Sequence, residues 1–245
     1  MERTVRAGRK NEPSIVAASG RFGGFTPETE RNIRETVVVK DAKLIELLDL
    51  FRSIKFGIHW NADEKFGYLE PLARGHHVSS VDIAKFSLAL VELAGEELFD
   101  VKAGLLLSAL INNSPEERFS VFTSHLECYP SFFAYRNTKH IEVNGPLSGD
   151  AGWSMDGGSL LVKGDVRGDL GSSIRNGSII VEGDVWAGTG TSMHGGIIEV
   201  KGNALGTVGD GMDDGEIRLW KKYLEVGVNF RNGKIFNHGK LIAGK

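Results

Sequence analysis

Apolar residues in the second half of the chain recur at two intervals, two and nineteen. Ile141, Leu160, Ile179, Ile198 and Ile217 form one column, and Val143, Val162, Val181, Val200 and Leu219 form another two places on. A spacing of two places side chains on one side of a strand, so each unit carries a short strand. Leu147, Val166, Val185 and Ala204 keep the same register, as do Met155, Ile174, Met193 and Met212, so the methionines belong to a core rather than a cofactor pocket. A nineteen-residue unit cannot bury its own inward face. Stacking the units, strand on strand at ~4.8 Å, completes the hydrogen-bond ladder and encloses a continuous interior. The pattern predicts a parallel β-solenoid with Val162 lying between Val143 and Val181.

Earlier in the chain the period lengthens. Leu44, Leu47, Leu48, Phe51 and Ile54 share one helical face behind Asp41, an N-cap residue. Ser79 and Asp82 have capping-box spacing, and the following run to Ala94 stops at Gly95. Val101–Ile111, Asn112–Glu117 and Phe119–Phe122 read either as helix, turn and strand or as a hairpin with a long turn. Residues 1–32, with Gly20-Arg-Phe-Gly-Gly24 and two prolines, read as an irregular arm.

Composition sharpens this picture at glycine. Of 32 glycines, 23 lie after residue 138. Gly145, Gly164, Gly183 and Gly202 are nineteen apart, as are Gly152, Gly171, Gly190 and Gly209, and again Gly158, Gly177, Gly196 and Gly215. These are structural glycines of the turns and of close coil stacking. A further column, Gly157, Asn176, Gly195 and Asp214, contains residue types that tolerate positive φ and is expected to be left-handed. Collagen, propeller, leucine-rich and calcium-roll periods do not match. A hexapeptide left-handed helix fails because nineteen is not a multiple of six.

The units Gly164-Asp-Val-Arg-Gly-Asp-Leu-Gly171 through Gly177, and Gly202-Asn-Ala-Leu-Gly-Thr-Val-Gly209, resemble the repeats of the GXGXG-repeat subunit of formylmethanofuran dehydrogenase. They are also similar to the C-terminal domain of the glutamate synthase large subunit. The resemblance covers residues 139–219, with Ser124-His-Leu-Glu and Tyr135-Arg-Asn as a lead-in coil. It implies a right-handed parallel β-helix that is an architectural part of a larger enzyme, with catalysis elsewhere. The expected organisation is a mainly β chain: an α-rich N-terminal domain over 1–102 and the β-helix over 103–245.

Charge and candidate chemistry narrow the function. The net charge of −3 gives no electrostatic reason to bind nucleic acid or a membrane surface. Ser14–Ala18 is too short for a signal-peptide core, so a cytoplasmic location is expected. Cys128, the single cysteine, excludes an internal disulfide. His59, His76 and His77 lack a partner at ligand spacing. Ser124-His125 lacks a nucleophile elbow. Gly188-Thr-Gly190 and Gly20–Gly24 lack the strand and helix context of a phosphate loop. No catalytic residue, cofactor or metal is therefore expected. The leading reading is a non-catalytic assembly protein that binds partner subunits or itself. The alternative is an enzyme, transferase-like, with a site between the N-terminal domain and the solenoid. His194, in the column of Arg175 and Asp213, is its one candidate. A carbohydrate-binding or lyase-type helix would need an aromatic platform or clustered carboxylates on one face. On the outward side of the strands, Leu161, Ile180 and Ile197 form an apolar stripe. It is expected to be covered by the Leu44/Leu48/Phe51 helix face or by another subunit.

Overall fold

A computed structural model describes residues 41–244; the expected N-terminal arm lies outside them. Among the described residues four helices precede the strands: α1 (Ala42–Ser53), α2 (Ala62–Arg74), α3 (Ser80–Ala89) and α4 (Phe99–Asn113). Each of the first three starts where a side chain satisfies an orphan N–H. Asp41 accepts from Leu44 N at 2.8 Å, and Asn61/Glu64 and Ser79/Asp82 form reciprocal capping boxes. The helical run after Ser79 tightens at Leu90–Leu93 into a single 3-10 turn instead of continuing as α-helix. There Leu90 and Leu93, three apart, both face the core. After α4 the chain makes a turn and a strand, so the hairpin alternative for 101–122 is excluded.

The apolar face of α1 enters a helical core, where Phe51 meets the rings of Phe86 at 6.5 Å and Phe99 at 6.0 Å. That occupancy overturns one expected cover for the Leu161/Ile180 stripe, because the Leu44/Leu48/Phe51 face has no side left to offer it.

The remainder is a β-solenoid. Its first face is an eight-stranded sheet in the order β1 (Arg118–Phe122), β2 (His140–Asn144), β4 (Asp156–Val162), β6 (Asn176–Val181), β7 (Ile197–Val200), β9 (Glu216–Leu219), β11 (Lys234–Asn237) and β12 (Lys240–Gly244). All pairings are parallel except the closing hairpin of β11 and β12. Val162 pairs with Val143 and Val181, as the nineteen-residue register requires. The second face carries β3 (Leu147–Ser148), β5 (Val166–Arg167), β8 (Ala204–Val208) and β10 (Tyr223–Val226), joined through bridges at Val185. Bridges linking Ala151, Leu170, Thr189 and Val208 form a third ladder. The inward columns, including Met155, Ile174, Met193 and Met212, are fully buried.

The ladder begins at Arg118, and α3 packs over its first strand, with Phe122 N–H donating to Ser87 Oγ at 3.1 Å. The expected boundary at 102/103 falls inside α4. One apolar core runs without interruption from Leu44 to Ile235, because the helices supply the surface that the first coil needs to cover its open end.

The glycine columns divide by physical task. Gly152, Gly171, Gly190 and Gly209 have φ between +65° and +71°. Gly164, Gly183 and Gly202 have ordinary φ but lie against the backbone of the preceding coil. The expected left-handed column is one place off: Gly157, Asn176, Gly195 and Asp214 do not have positive φ, whereas Gly158, Gly177, Gly196 and Gly215 do. Asn176 and Asp214 instead use Oδ1 to accept the following glycine's N–H at 2.8 Å. A second left-handed column, Ser154, Ser173, Ser192 and Gly211, escaped the sequence reading. Gly211, in register with three serines, was its signal.

Candidate functional site

Part of the candidate chemistry is engaged in structural pairing. His76 Nδ1 bonds Glu46, while His77 and His59 stand exposed elsewhere. Partial burial holds the His125 imidazole below its ordinary range, against a bond to the Leu88 backbone. Cys128 is exposed. Desolvation, then the charge of Asp100, push its thiol up and away from thiolate chemistry. Among the described residues no three His, Cys, Asp or Glu side chains come together as a metal site. No helix among them is long and apolar enough to cross a membrane. Gly188 N–H, the donor that a phosphate would need, is taken by Asp169 Oδ1 at 2.6 Å. The Gly20–Gly24 loop lies outside the described residues.

At the junction of helices and solenoid, Phe66, Tyr135 and Trp153 pack ring to ring, with centroids 4.9 Å and 5.5 Å apart. Asp63 accepts from the Tyr135 hydroxyl and from Arg136 Nη2 at 2.8 Å. Burial, then that bond, pushes the Tyr135 phenol up to about 12, so it stays a neutral donor. The arrangement ties α2 to the lead-in coil.

One turn column is a charge ladder. Asp156 meets Arg175 at 2.9 Å, and Asp213 meets His194 Nδ1 at 3.0 Å and Arg231 at 3.1 Å. Beside it is a hollow of about 550 Å³ lined by Ser192, His194, Asp213, Asn229, Phe230 and Arg231. Asp213 thus bonds both His194 and Arg231 of the hollow.

The outward faces of the sheets are different. On the first, Leu161 and Ile180 are cross-strand partners and half-buried, while Ile197 is exposed on the next strand. Their polar border is self-paired, with Lys163 on Glu142 at 2.7 Å and Lys201 near Glu182 at 3.7 Å. On the second face, Arg167, Trp186, Leu205 and Leu224 occupy successive rungs. Trp186, Leu205 and Leu224 are exposed, a feature absent from the sequence reading. The nineteen-residue register places these three in one column, but Arg167 and Ser148 at its start disguise it. No protein-family model, curated protein or solved structure matches the chain.

Proposed function

We propose that the chain is a non-catalytic assembly protein: a helically capped β-solenoid whose first face docks a partner subunit. The observation that carries this reading is the Leu161–Ile180 pair, with Ile197 beside it, outward on a regular sheet whose charged border satisfies itself. An apolar stripe bounded by closed ion pairs buries area without leaving a charge unpaired, which suits a protein interface. The pairing of His194, His76 and Asp169 within the fold supports a scaffold over an enzyme. The glycine columns add a finer proposal: a GXGXG-type architectural protein, similar to the corresponding part of formylmethanofuran dehydrogenase or to the glutamate synthase C-terminal domain, working in the cytoplasm beside a catalytic partner.

The test compares the native mass of the protein in source extracts with that of a Leu161→Asp/Ile180→Asp variant. The reading expects a wild-type assembly containing a second polypeptide, lost in the variant while the fold, followed by circular dichroism, persists. Wild type migrating without another polypeptide, or a variant that keeps it, overturns the reading.

A further inference from the structure

The second face carries two columns side by side that are complementary to each other. The first is a ridge. Trp186 N–H donates to Val166 C=O at 2.9 Å and Leu205 N–H to Val185 C=O at 2.8 Å. These bonds set Trp186, Leu205 and Leu224 on consecutive rungs, exposed by 57%, 40% and 67%. The second is a shelf formed by the next residues in each coil, Gly168, Ala187 and Gly206. It is low because its side chains are a hydrogen or a methyl, and coil stacking holds two of its positions to glycine: a Cβ on Gly168 would lie 2.3 Å from Gly149 O, and one on Gly206 would lie 2.2 Å from Ala187 O. A bulky ridge beside a bare shelf, at the same heights along the solenoid, is the relief that a two-fold axis parallel to the solenoid requires. Rotation about such an axis lays each ridge on the other copy's shelf.

Charge follows the same symmetry. Arg167 stands in the ridge column, its guanidinium 5.0 Å from the Tyr129 ring centroid. Asp150 and Asp169 stand on the shelf side, Asp169 fixed by Gly188 N–H at 2.6 Å. The axis that seats Trp186 over Ala187 also brings Arg167 of each copy to the other's aspartates. A partner without this relief would match only one of the two columns.

We propose that two copies of this chain associate side by side through the second face, ridge on shelf, with Arg167 facing the Asp150/Asp169 pair. The proposal rests on the assembly reading above and uses a different face, which leaves the Leu161–Ile180 stripe free for the other polypeptide.

The experiment is the mass of the purified full chain by sedimentation across the micromolar range. A dimer is expected; Trp186→Glu and Arg167→Asp each halve the mass, and Leu161→Asp/Ile180→Asp leaves it unchanged. A second measurement does not depend on a disruptive variant: with Cys128→Ser as background, a Leu205→Cys chain and a Thr207→Cys chain are mixed in equal amounts and oxidised. Cross-linked heterodimer is expected well beyond the twofold excess over each homodimer that random pairing of equal amounts gives. A monomeric wild type overturns the proposal, as does a dimer broken only by the Leu161/Ile180 variant or a cross-link without that preference. A monomer that still holds a second polypeptide in extracts overturns this proposal alone, while a dimer with no second polypeptide overturns only the docking of a partner on the first face.

Discussion

Gly202 lies directly on Gly183 of the preceding coil: a Cβ on Gly202 would fall 2.0 Å from the Gly183 carbonyl oxygen. Neither residue has positive φ, so the requirement is for space between two backbones held at the ladder spacing, and no rotamer change can relieve it.

Gly202→Ala is therefore expected to lower stability by ~2–3 kcal/mol, as overpacking against backbone does. Gly171→Val and Gly190→Val should each cost ~1 kcal/mol or more through positive φ. Gly67 is the control. It lies inside α2 with nothing within 4 Å of its would-be Cβ, so Gly67→Ala should stabilise by ~0.5–1 kcal/mol. Denaturant midpoints of the four variants provide the check, and equal midpoints for Gly202→Ala and wild type would contradict the stacking argument.

Thr189 stands in the inward ladder between Leu170 and Val208, fully buried, and its hydroxyl has no hydrogen-bond partner. Thr189→Val keeps the shape and removes the desolvated hydroxyl, so it should raise stability by ~1 kcal/mol. A lower melting temperature would mean that the hydroxyl is satisfied.

Lys102 has a side chain 4% exposed, with Glu96 Oε2 3.7 Å from its ammonium and the Phe51 ring centroid 5.6 Å away. Two consequences follow from the desolvation of a buried cation. Lys102→Met should be neutral or stabilising, whereas Glu96→Gln, which leaves the ammonium without its counter-charge, should destabilise. Urea unfolding of both distinguishes this from a simple attractive pair, for which both variants would lose stability.

Asp150 titrates at about 6, raised first by burial and then by the charge of Asp169, to which it is also hydrogen-bonded. A folded pKa above the unfolded one means that the native state binds the proton more tightly. The resulting stability is complete below the unfolded value of 3.8 and is lost as pH rises through about 6. Asp150→Asn, which keeps a donor toward Asp169, should melt above wild type at neutral pH, and the difference should close on acidification. A difference independent of pH would remove the shared proton.

Read one residue at a time, the chain already determines its period, the in-register pairing of Val143, Val162 and Val181, and the caps at Asp41 and Ser79. Each of these depends on residues near in sequence or on exact repetition, so the pattern itself holds the information. Other features were set only by the tertiary structure. α2 was not read because Pro71 interrupts its pattern. The left-handed position moved to Gly158 and its column because Asn176 and Asp214 bond the next N–H. The α1 face went to Phe86 and Phe99 instead of to the strands. Asp63 found Tyr135 across 72 residues of chain, and Trp186, Leu205 and Leu224 were left exposed on the second face. These outcomes depend on which surfaces compete for burial once the elements exist, and local spacing does not encode that competition.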